Sequence, residues 1–465
     1  MSRAPRATPD CSLPDVLRQP QQAVRALQDR LLRDTIAICY DAHPFYGALM
    51  RREHIEPRHI QSCDELIRLP ISTKADFLND PDAFRLRGEH LPADFTTLWK
   101  VVYTTGTTSG RPAPIYVSSH DYYHYLYISE RQQDLIGLRA DDVVANLFPL
   151  TPFPMGAYGR AFDEAAAVGA AMFCAHTGRE ATTLPVHRGL DESVAMVERH
   201  RASVLWGVAG FVRRVLVRAA ELGADLRHVR MAMITGEASS GAMRDDMSRR
   251  MRELGCAGDR IVNRYGSTEK GVSMVECTPG SGFHNLAPDQ IFHEVVNESG
   301  TARVADGEPG MLVFSHLMRR GTVFLRYRLG DQVTMTHATC PHCARTSARI
   351  VSQPVRSGDI VKIKGTLVNL QVLKDSLERL AWIDEYQIVI QPLDTNDAFS
   401  PDELLLRIAG HGGKLDGEAA SKLLHDVTAL TQVRPRIEAA DRNAIFDPTE
   451  GAKPRRIIDL RPSRQ

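Results

Sequence analysis

A loop rich in glycine, threonine and serine offers the clearest chemistry in this chain of 465 residues. It runs Tyr103-Thr-Thr-Gly-Thr-Thr-Ser-Gly-Arg-Pro112, directly after an apolar run that is typical of a strand. Small residues leave backbone N–H groups accessible and the hydroxyls add donors, so such a loop can surround phosphates. It is not a P-loop, because GxxxxGK[ST] cannot be laid on it. A solvated turn is the plainer interpretation.

Two further segments supply groups that a nucleotide reaction needs. Arg264-Tyr-Gly-Ser-Thr-Glu269 combines an aromatic face for a base, hydroxyls for phosphate and a carboxylate that can hold Mg²⁺. Phe324-Leu-Arg-Tyr-Arg-Leu-Gly-Asp331 ends in a Gly-Asp turn, whose carboxylate can accept hydrogen bonds from both ribose hydroxyls. Taken alone, each is equally an ordinary loop or hairpin turn.

Lys453 lies near the C-terminus in the segment Gly451-Ala-Lys-Pro-Arg-Arg-Ile-Ile-Asp459. A single ammonium group on a glycine-containing loop can neutralise the charge that grows between a carboxylate and an α-phosphate. As an isolated observation, the segment is simply a basic tail.

One group of cysteine and histidine residues has the composition of a zinc site. Cys340 and Cys343 form a Cys-x-x-Cys knuckle, and Cys277 with His284 can supply the remaining ligands of a tetrahedral set. We expect a structural rather than a catalytic ion, because four protein ligands leave no open position. Reduced, unligated thiols are the alternative, and His342 is a less favoured ligand.

The elements that position these segments are predicted from periodicity. Residues 14–53 are predicted to be helical, and from about residue 100 apolar strands alternate with amphipathic helices, as in an α/β domain with mostly parallel central strands. Between 290 and 336, alternation around Gly-containing turns predicts an antiparallel section. After about 355 a compact α+β tail follows, so we expect domains at 1–355 and 356–465.

Composition limits the classes of function. With 43% hydrophobic residues, 25% charged residues and zero net charge, the chain is neither a disordered protein nor a nucleic-acid binder by charge. The first residues carry no apolar stretch of signal-peptide length, and eight cysteines are too sparse for a secreted disulfide scaffold. We therefore expect a cytoplasmic protein with no membrane partner; a homodimer stays open.

Together and in this order, the four segments resemble the adenylate-forming superfamily, and flanking residues make the chain similar to its phenylacetate-CoA ligase-like branch. The likeness covers residues 60 to 461. The branch-specific features are Leu69-Pro-Ile-Ser-Thr-Lys74, Glu276-Cys277, Gly282-Phe283-His284, Gly310-Met-Leu-Val-Phe314, Leu325-Arg-Tyr-Arg-Leu-Gly-Asp331 and Cys340-Pro-His-Cys-Ala-Arg345.

The resemblance implies an ATP- and Mg²⁺-dependent ligase with a large, multi-lobed N-terminal adenylation domain that includes a β-rich subdomain, and a small mobile C-terminal domain. Lys453 would be the adenylation lysine, Thr268 would touch the α-phosphate and Glu269 would bind Mg²⁺. Asp331, assisted by Arg356, would hold the ribose. The other implied ATP contacts are Thr104, Thr105, Gly106, Thr107, Thr108, Ser109 and Gly110 at the phosphates, Gly236, Glu237 and Ala238 along the adenine, and Tyr265, Gly266 and Ser267 beside the base.

The resemblance also points to the acid. The segments around Phe148, Tyr158, Trp206 and Thr235 would border the acyl pocket. Aromatic and small residues together suit a flat ring, so we favour an aryl acid, either phenylacetate-like or a hydroxy- or aminobenzoate. Buried aromatic residues are also ordinary core. Coenzyme A is the expected acceptor; a carrier-protein thiol, an alcohol or an amine stays open.

Two departures from the branch pattern leave a competing hypothesis. The loop reads GTTSG rather than GTTG, and Gly358 occupies a hinge position that commonly holds aspartate. A nucleotide-binding regulatory protein without turnover would explain these two departures. A zinc-stabilised interaction module is a further alternative, which would need only the Cys/His set and no ATP chemistry. Retention of Lys453, Glu269 and Asp331 favours the enzyme.

Overall fold

The computed structural model describes residues 8–104, 112–150, 156–177, 188–356, 360–363, 366–393, 401–411, 415–447 and 454–461. Proline ends the first predicted helix early. The predicted helix over 14–53 is two helices, α1 (Gln21–Ala42) and α2 (Pro44–Arg52). Pro44 has no N–H to donate and so begins a new helix, while the Nδ1 atom of extended His43 accepts a hydrogen bond from the Tyr46 N–H at 3.1 Å.

Strand and helix alternate through the middle of the chain, as predicted. The elements that follow α2 are α3 (Lys74–Asn79), α4 (Ala93–Thr96), β1 (Leu98–Tyr103), β2 (Pro114–Ser118), α5 (Ser119–Arg131), α6 (Gln133–Ile136), β3 (Val143–Asn146), α7 (Gly156–Val168), β4 (Ala171–Cys174), α8 (Leu190–Arg199), β5 (Val204–Val208), α9 (Ala209–Leu222), β6 (Met231–Thr235), α10 (Gly241–Glu253) and β7 (Arg260–Gly266). Short 3₁₀ turns cover Pro57–His59, Glu65–Arg68 and Pro81–Phe84.

The β-rich part continues the same sheet. Its strands are β8 (Ser273–Glu276), β9 (Phe283–Asn285), β10 (Ile291–Val296), β11 (Pro309–His316), β12 (Tyr327–Thr336), β13 (Arg349–Ile350) and β14 (Val355–Arg356). Among the described residues the order is β10-β11-β12-β13-β9-β8-β7-β6-β5-β3-β4, with β14 beside β12. Strands β3 to β7 pair in parallel and the others antiparallel, so β7 is where the sheet changes direction.

Strand β1 lies outside the large sheet, although the strand-helix alternation of the sequence would place it there. Among the described residues, β1 pairs with β2 alone, as a separate antiparallel hairpin. The two strands flank the Gly/Thr/Ser-rich segment, so that segment connects the strands of a hairpin.

The tail after residue 355 has its own sheet and helices. Its elements are β15 (Ile360–Ile363), β16 (Thr366–Asn369), α11 (Leu370–Glu378), β17 (Ile383–Pro392), β18 (Asp402–Gly410), α12 (Gly417–Thr431), β19 (Arg436–Ala439), α13 (Arg442–Ile445) and β20 (Ile457–Asp459). Strands β17 and β18 are antiparallel, and β19 and β20 pair in parallel with them at the two edges.

Buried side chains form two main clusters. The larger runs from Val16 to Ile350 and the smaller from Ile363 to Val433. Their separation is consistent with the proposed division near residue 355. None of the helices in the described ranges combines the length and apolar character needed to cross a bilayer.

Candidate active site

An open cavity lies at the carboxyl ends of the parallel strands, where ligands bind in α/β sheets. Phe148 lies just after β3 and Val208 ends β5. Thr235 ends β6 and is followed by Gly236, and Gly266 ends β7. We call this the front cavity; it encloses about 1360 Å³, including space open to solvent. Its described lining is Lys74, Thr104, Phe148, Ala157, Arg160, Glu164, Trp206, Val208, Thr235, Gly236, Arg264, Gly266, Ser267, Thr268, Glu269, Ser273 and Arg356.

Thr104 ties the Gly/Thr/Ser-rich segment to the edge of the front cavity. The Thr104 N–H donates to the Ala113 carbonyl at 3.0 Å, and the Ala113 N–H donates to the Thr104 Oγ1 at 3.0 Å. Both ends of the segment are therefore fixed beside the cavity. The remaining predicted phosphate contacts, Thr105, Gly106, Thr107, Thr108, Ser109 and Gly110, lie outside the described residues.

Helix α7 positions the Tyr265–Glu269 segment through hydrogen bonds from Arg160. The Arg160 guanidinium donates to the carbonyl oxygens of Ser267 at 3.1 Å and Thr268 at 2.8 Å. A Cβ added to Gly156 would lie 2.7 Å from Thr268 Cγ2, so only glycine allows the start of α7 to approach this closely. Thr268 and the buried Glu269 are thereby presented to the front cavity.

Tyr265, Asp331 and Arg356 form one hydrogen-bonded set, although they are far apart in sequence. The Tyr265 hydroxyl donates to Asp331 Oδ2 at 2.5 Å, and Arg356 Nε lies 2.9 Å from Asp331 Oδ1. Burial and the adjacent Asp331 carboxylate raise the pKa of the Tyr265 hydroxyl well above its usual range, so it stays a donor. Antiparallel pairing of β12 with β14 places Asp331 opposite Arg356.

The residues predicted to lie along the adenine, 236–238, have different surroundings: Gly236 lines the front cavity, and Glu237 is hydrogen-bonded within the protein. Gly236 lines the front cavity with a φ of +91°, which glycine adopts without strain. The Glu237 carboxylate accepts a hydrogen bond from the Gly210 N–H. Glu237 and Ala238 are half-buried and are not among the residues that line the described cavity.

The residue after Lys453 lies close to this segment. Lys453 itself is outside the described residues. A Cβ added to Gly210 would lie 3.6 Å from Pro454 Cγ and 2.7 Å from the Glu237 Oε1. The start of the described segment 454–461 thus lies beside Gly210, two residues after the cavity-lining Val208.

A buried ion pair that the sequence did not predict supports the base of the front cavity. Arg264 donates to both Glu164 carboxylate oxygens, at 2.7 and 3.0 Å, and both side chains are 2% exposed. The Tyr125 hydroxyl donates to the Glu164 Oε1 at 2.7 Å, and the Arg264 guanidinium carbon lies 4.7 Å from the Trp206 ring centre. No local signal marks this pair, because its partners are separated by 100 residues.

Three of the four predicted acyl-pocket residues meet in the front cavity. Phe148, Trp206 and Thr235 line it together with Val208. Tyr158 is not among the residues that line the described cavity, and its ring centre lies 5.4 Å from that of Phe162. The cavity face of α7 carries residues 157, 160 and 164, and residue 158 points from the neighbouring face.

The four predicted zinc ligands converge at one point near β8 and β9. Their ligand atoms all lie within 4.8 Å of one another. Cys277 Sγ is 3.8 Å from Cys340 Sγ, and Cys343 Sγ is 3.7 Å from His284 Nε2. Tetrahedral zinc with ordinary bond lengths separates two sulfurs by about 3.8 Å and a sulfur from a nitrogen by about 3.6 Å. The donors and their spacing therefore fit a zinc ion.

Comparisons with known proteins show which family this chain resembles. The family model described as "AMP-binding enzyme" matches residues 18–327. A phenylacetate-coenzyme A ligase of Thermus thermophilus is 24% identical over 473 residues, covering 96% of this chain and 99% of that protein. The phenylacetate-coenzyme A ligase of Escherichia coli is 24% identical over 390 residues, covering 81% of each chain.

A solved structure shares the fold. A 2-hydroxyisobutyryl-CoA ligase in the postadenylation state superposes with a TM-score of 0.78 at 19% identity, covering 96% of this chain and 91% of that chain. The family model alone spans more than half of the sequence. The chain therefore belongs to the AMP-binding enzyme family, and over most of its length it is similar to phenylacetate-coenzyme A ligases.

Proposed function

We propose that this chain, an adenylate-forming CoA ligase by family, activates a small aryl carboxylic acid with ATP and passes the acyl group to coenzyme A. One observation carries the proposal: Thr268, Glu269 and Arg356 line one cavity, and Arg356 contacts Asp331, which is also bonded by Tyr265. Pro454 lies beside Gly210, two residues after the cavity-lining Val208. A regulatory protein without turnover would have no need to retain all of these groups together.

The nucleotide is held by groups of complementary chemistry. Asp331 offers carboxylate lone pairs to the ribose hydroxyls, and Arg356 Nε lies 2.9 Å from one of its oxygens. Gly236 exposes its backbone where the adenine would lie, and Gly266 and Ser267 continue that surface. The segment 104–110 takes the phosphates in this proposal.

Glu269 fits Mg²⁺, because a carboxylate bordering a phosphate site is the ligand that this ion prefers. When bound, Mg²⁺ neutralises charge on the phosphate oxygens. A carboxylate oxygen of the acid then attacks the α-phosphorus, and the bond to the bridging oxygen of pyrophosphate breaks. Thr268 and Lys453 stabilise the negative charge that develops at the α-phosphate.

The walls of the front cavity favour a ring. Phe148, Trp206 and Val208 supply flat apolar surface, and Thr235 adds a hydroxyl at the end of β6. In the second step the CoA sulfur attacks the acyl carbon, its proton leaves to solvent and AMP departs. We propose that the domain at 356–465 rotates between the steps, so that Lys453 serves only the first.

We also propose a structural zinc ion at Cys277, His284, Cys340 and Cys343. The ion would join the β8–β9 turn to the Cys340–Cys343 knuckle. Metal analysis of the purified protein should give about one zinc per chain, and a Cys343→Ser variant should lose it. A folded wild-type protein without metal would contradict this assignment.

The experiment that tests the function supplies ATP, Mg²⁺ and a panel of arylacetates and benzoates, and measures pyrophosphate release with mass detection of products. We expect pyrophosphate with at least one aryl acid and a CoA thioester when CoA is present. If the acyl group is transferred to a carrier-protein thiol, an alcohol or an amine but not to CoA, the proposed acceptor is wrong. ATP binding without turnover on any acid would favour the regulatory alternative.

A further inference from the structure

A second cavity continues the front cavity behind the side chain of Arg160. We call it the rear cavity; Tyr125, Arg160, Lys270, Val272, Gln290 and Arg319 are among its lining. The same chain segments border both spaces. Strand β1 and its end give Thr104 to the front and Val102 to the rear, and α7 gives Glu164 to the front and Asp163 to the rear.

Arg160 is the partition between the two cavities. It is the residue whose side chain lines both in the described chain. After Glu269, the consecutive residues Lys270, Gly271 and Val272 line the rear cavity, and Ser273 lines the front cavity. The Arg160 guanidinium bonds the Thr268 carbonyl, so a ligand whose carboxylate lies near Thr268 has Arg160 beside that carboxylate and the rear cavity beyond Arg160.

The acidic groups of this region already have partners. The Asp163 carboxylate is paired with the Lys100 ammonium, and both oxygens of Glu164 are held by Arg264. Asp121 accepts hydrogen bonds from the backbone N–H groups of Arg320 at 2.7 Å and Gly321 at 2.9 Å. These carboxylates therefore already have donors within the protein.

In contrast, several buried donors have no hydrogen-bond acceptor among the described residues. Lys270 is 1% exposed, its Nζ lies 4.6 Å from the centre of the Tyr265 ring, and this Nζ has no hydrogen-bond acceptor among the described residues. The buried Trp206 Nε1–H is also without a partner there, and Arg160 forms no ion pair with any described carboxylate. Buried donors without partners are uncommon in native proteins and call for an explanation. A ligand that brings acceptors would satisfy them.

We propose that the acid activated here is an aryl acid bearing an oxygen substituent (a hydroxyl or a second carboxylate) at the end away from the reacting carboxylate, and that Lys270 in the rear cavity receives this oxygen. The inference rests on the proposed function and selects among its substrates. An unsubstituted ring would leave the donors unpaired. An amino group would bring further N–H donors and a lone pair delocalised into the ring, which makes it a poor acceptor.

Lys270 acts as a specificity residue in this proposal, since it lies beyond the reacting atoms. A charge-assisted hydrogen bond contributes about 1.5–3 kcal/mol, which corresponds to roughly 10- to 100-fold in kcat/KM between matched acids. The preference should disappear when the ammonium is replaced by an apolar group of similar shape.

The test compares initial rates of acid-dependent pyrophosphate release for matched unsubstituted, hydroxy-, carboxy- and amino-substituted benzoates and phenylacetates. For the wild type, we expect kcat/KM with the best oxygen-substituted acid to exceed that of its unsubstituted and amino counterparts by about 10-fold or more. In Lys270→Met this ratio should fall toward one. Lys374→Met, which changes a buried lysine in helix α11 far from both cavities, should keep the wild-type ratio.

Equal or higher rates with unsubstituted or amino acids in the wild type would overturn the inference, as would an unchanged ratio in Lys270→Met. If Lys270→Met does not fold, calorimetric binding of the same acid pairs to the wild type decides the question by the same ratio. Pyrophosphate release with no acid at all would instead overturn the proposed function, and this inference with it.

Discussion

Asp331 is the residue on which the proposed nucleotide site most depends. It is 4% exposed, and its two oxygens are engaged by the Tyr265 hydroxyl and by Arg356. A carboxylate has about four lone-pair directions, so these contacts orient it and still leave acceptors for two ribose hydroxyls. The set is built to present charge rather than merely to bury it.

Asp331→Asn should raise KM for ATP by about 10-fold or more, because the amide loses charge and one acceptor. Tyr265→Phe should raise it less, since the carboxylate remains. Steady-state pyrophosphate release at varied ATP measures both. Asp306→Asn, which alters a half-exposed carboxylate paired with His337, serves as the control. A wild-type KM for ATP in Asp331→Asn would contradict the assignment of the ribose site.

Several site residues could be predicted because they lie in segments that carry their own chemistry. Thr268, Glu269 and Asp331 each stand in a run whose glycine and hydroxyl content differs from ordinary core. Arg160 and Glu164 could not be predicted in this way. At four-residue spacing on a helix they look like a solvated pair, and these partners lie a hundred or more positions later in the sequence.

Helix α7 is the element that links the acyl pocket to the Tyr265–Glu269 segment. It approaches Thr268 through Gly156, bonds the segment through Arg160 and is joined to β7 by the Glu164–Arg264 pair. An ion pair that is 2% exposed on both sides is desolvated, so removal of one partner leaves a buried unpaired charge.

Glu164→Leu should lower the free energy of unfolding by about 3–5 kcal/mol. The double change Glu164→Leu with Arg264→Met should recover much of that loss, because no unpaired charge remains. Glu253→Leu, which removes an exposed partner of Arg249, should change stability by about 0.5 kcal/mol or less. Urea denaturation measures all three. A loss no larger in Glu164→Leu than in Glu253→Leu would show that the pair does not anchor the helix.

The start of helix α2 provides a pH-dependent test of local packing. Burial lowers the pKa of His43 to about 3, and its neutral ring accepts from the Tyr46 N–H and donates to the Val323 carbonyl at 3.3 Å. The pKa of His43 is lower in the folded chain than in the unfolded chain. As pH falls, the unfolded chain therefore binds the proton at a higher pH than the folded chain, and the free energy of unfolding decreases. The loss begins near the usual histidine pKa and continues down to the folded value.

Stability of the wild type should therefore fall between about pH 6.5 and pH 3 with a contribution from His43 of up to roughly 1.4 kcal/mol per pH unit. His43→Asn keeps an oxygen that can cap α2 but cannot titrate. We expect its unfolding free energy to decline less steeply over that range in chemical denaturation at stepped pH. Parallel slopes for the two proteins would contradict a neutral buried His43.

The order of elements was largely predictable, whereas sheet membership was not. Strand-helix alternation predicted the parallel strands, and turn residues predicted the antiparallel section that follows. The sequence could not show that both parts share one sheet or that β1 leaves it for β2, since periodicity along a strand does not identify its partner. The break at Pro44 was missed because leucine spacing continues across it.

At the scale of the whole molecule, the two buried clusters meet across charged contacts. Arg214 of α9 lies 3.4 Å from Glu385 of β17, and Arg442 lies 3.1 Å from Glu221. The Arg214–Glu385 contact is buried, and Arg456 also bonds Glu385. Polar contacts of this kind can be exchanged at lower cost than a dry apolar interface, which suits a C-terminal domain that is proposed to rotate.

The central claim is that Lys453 and the front cavity together adenylate an acid, and the two half-reactions of Lys453→Ala test it most directly. We expect acid-dependent pyrophosphate release to fall by about 100-fold or more, while thioester formation from supplied acyl adenylate and CoA stays near the wild-type rate. Arg455→Ala, two residues away, should retain both. Wild-type pyrophosphate release by Lys453→Ala would contradict the account.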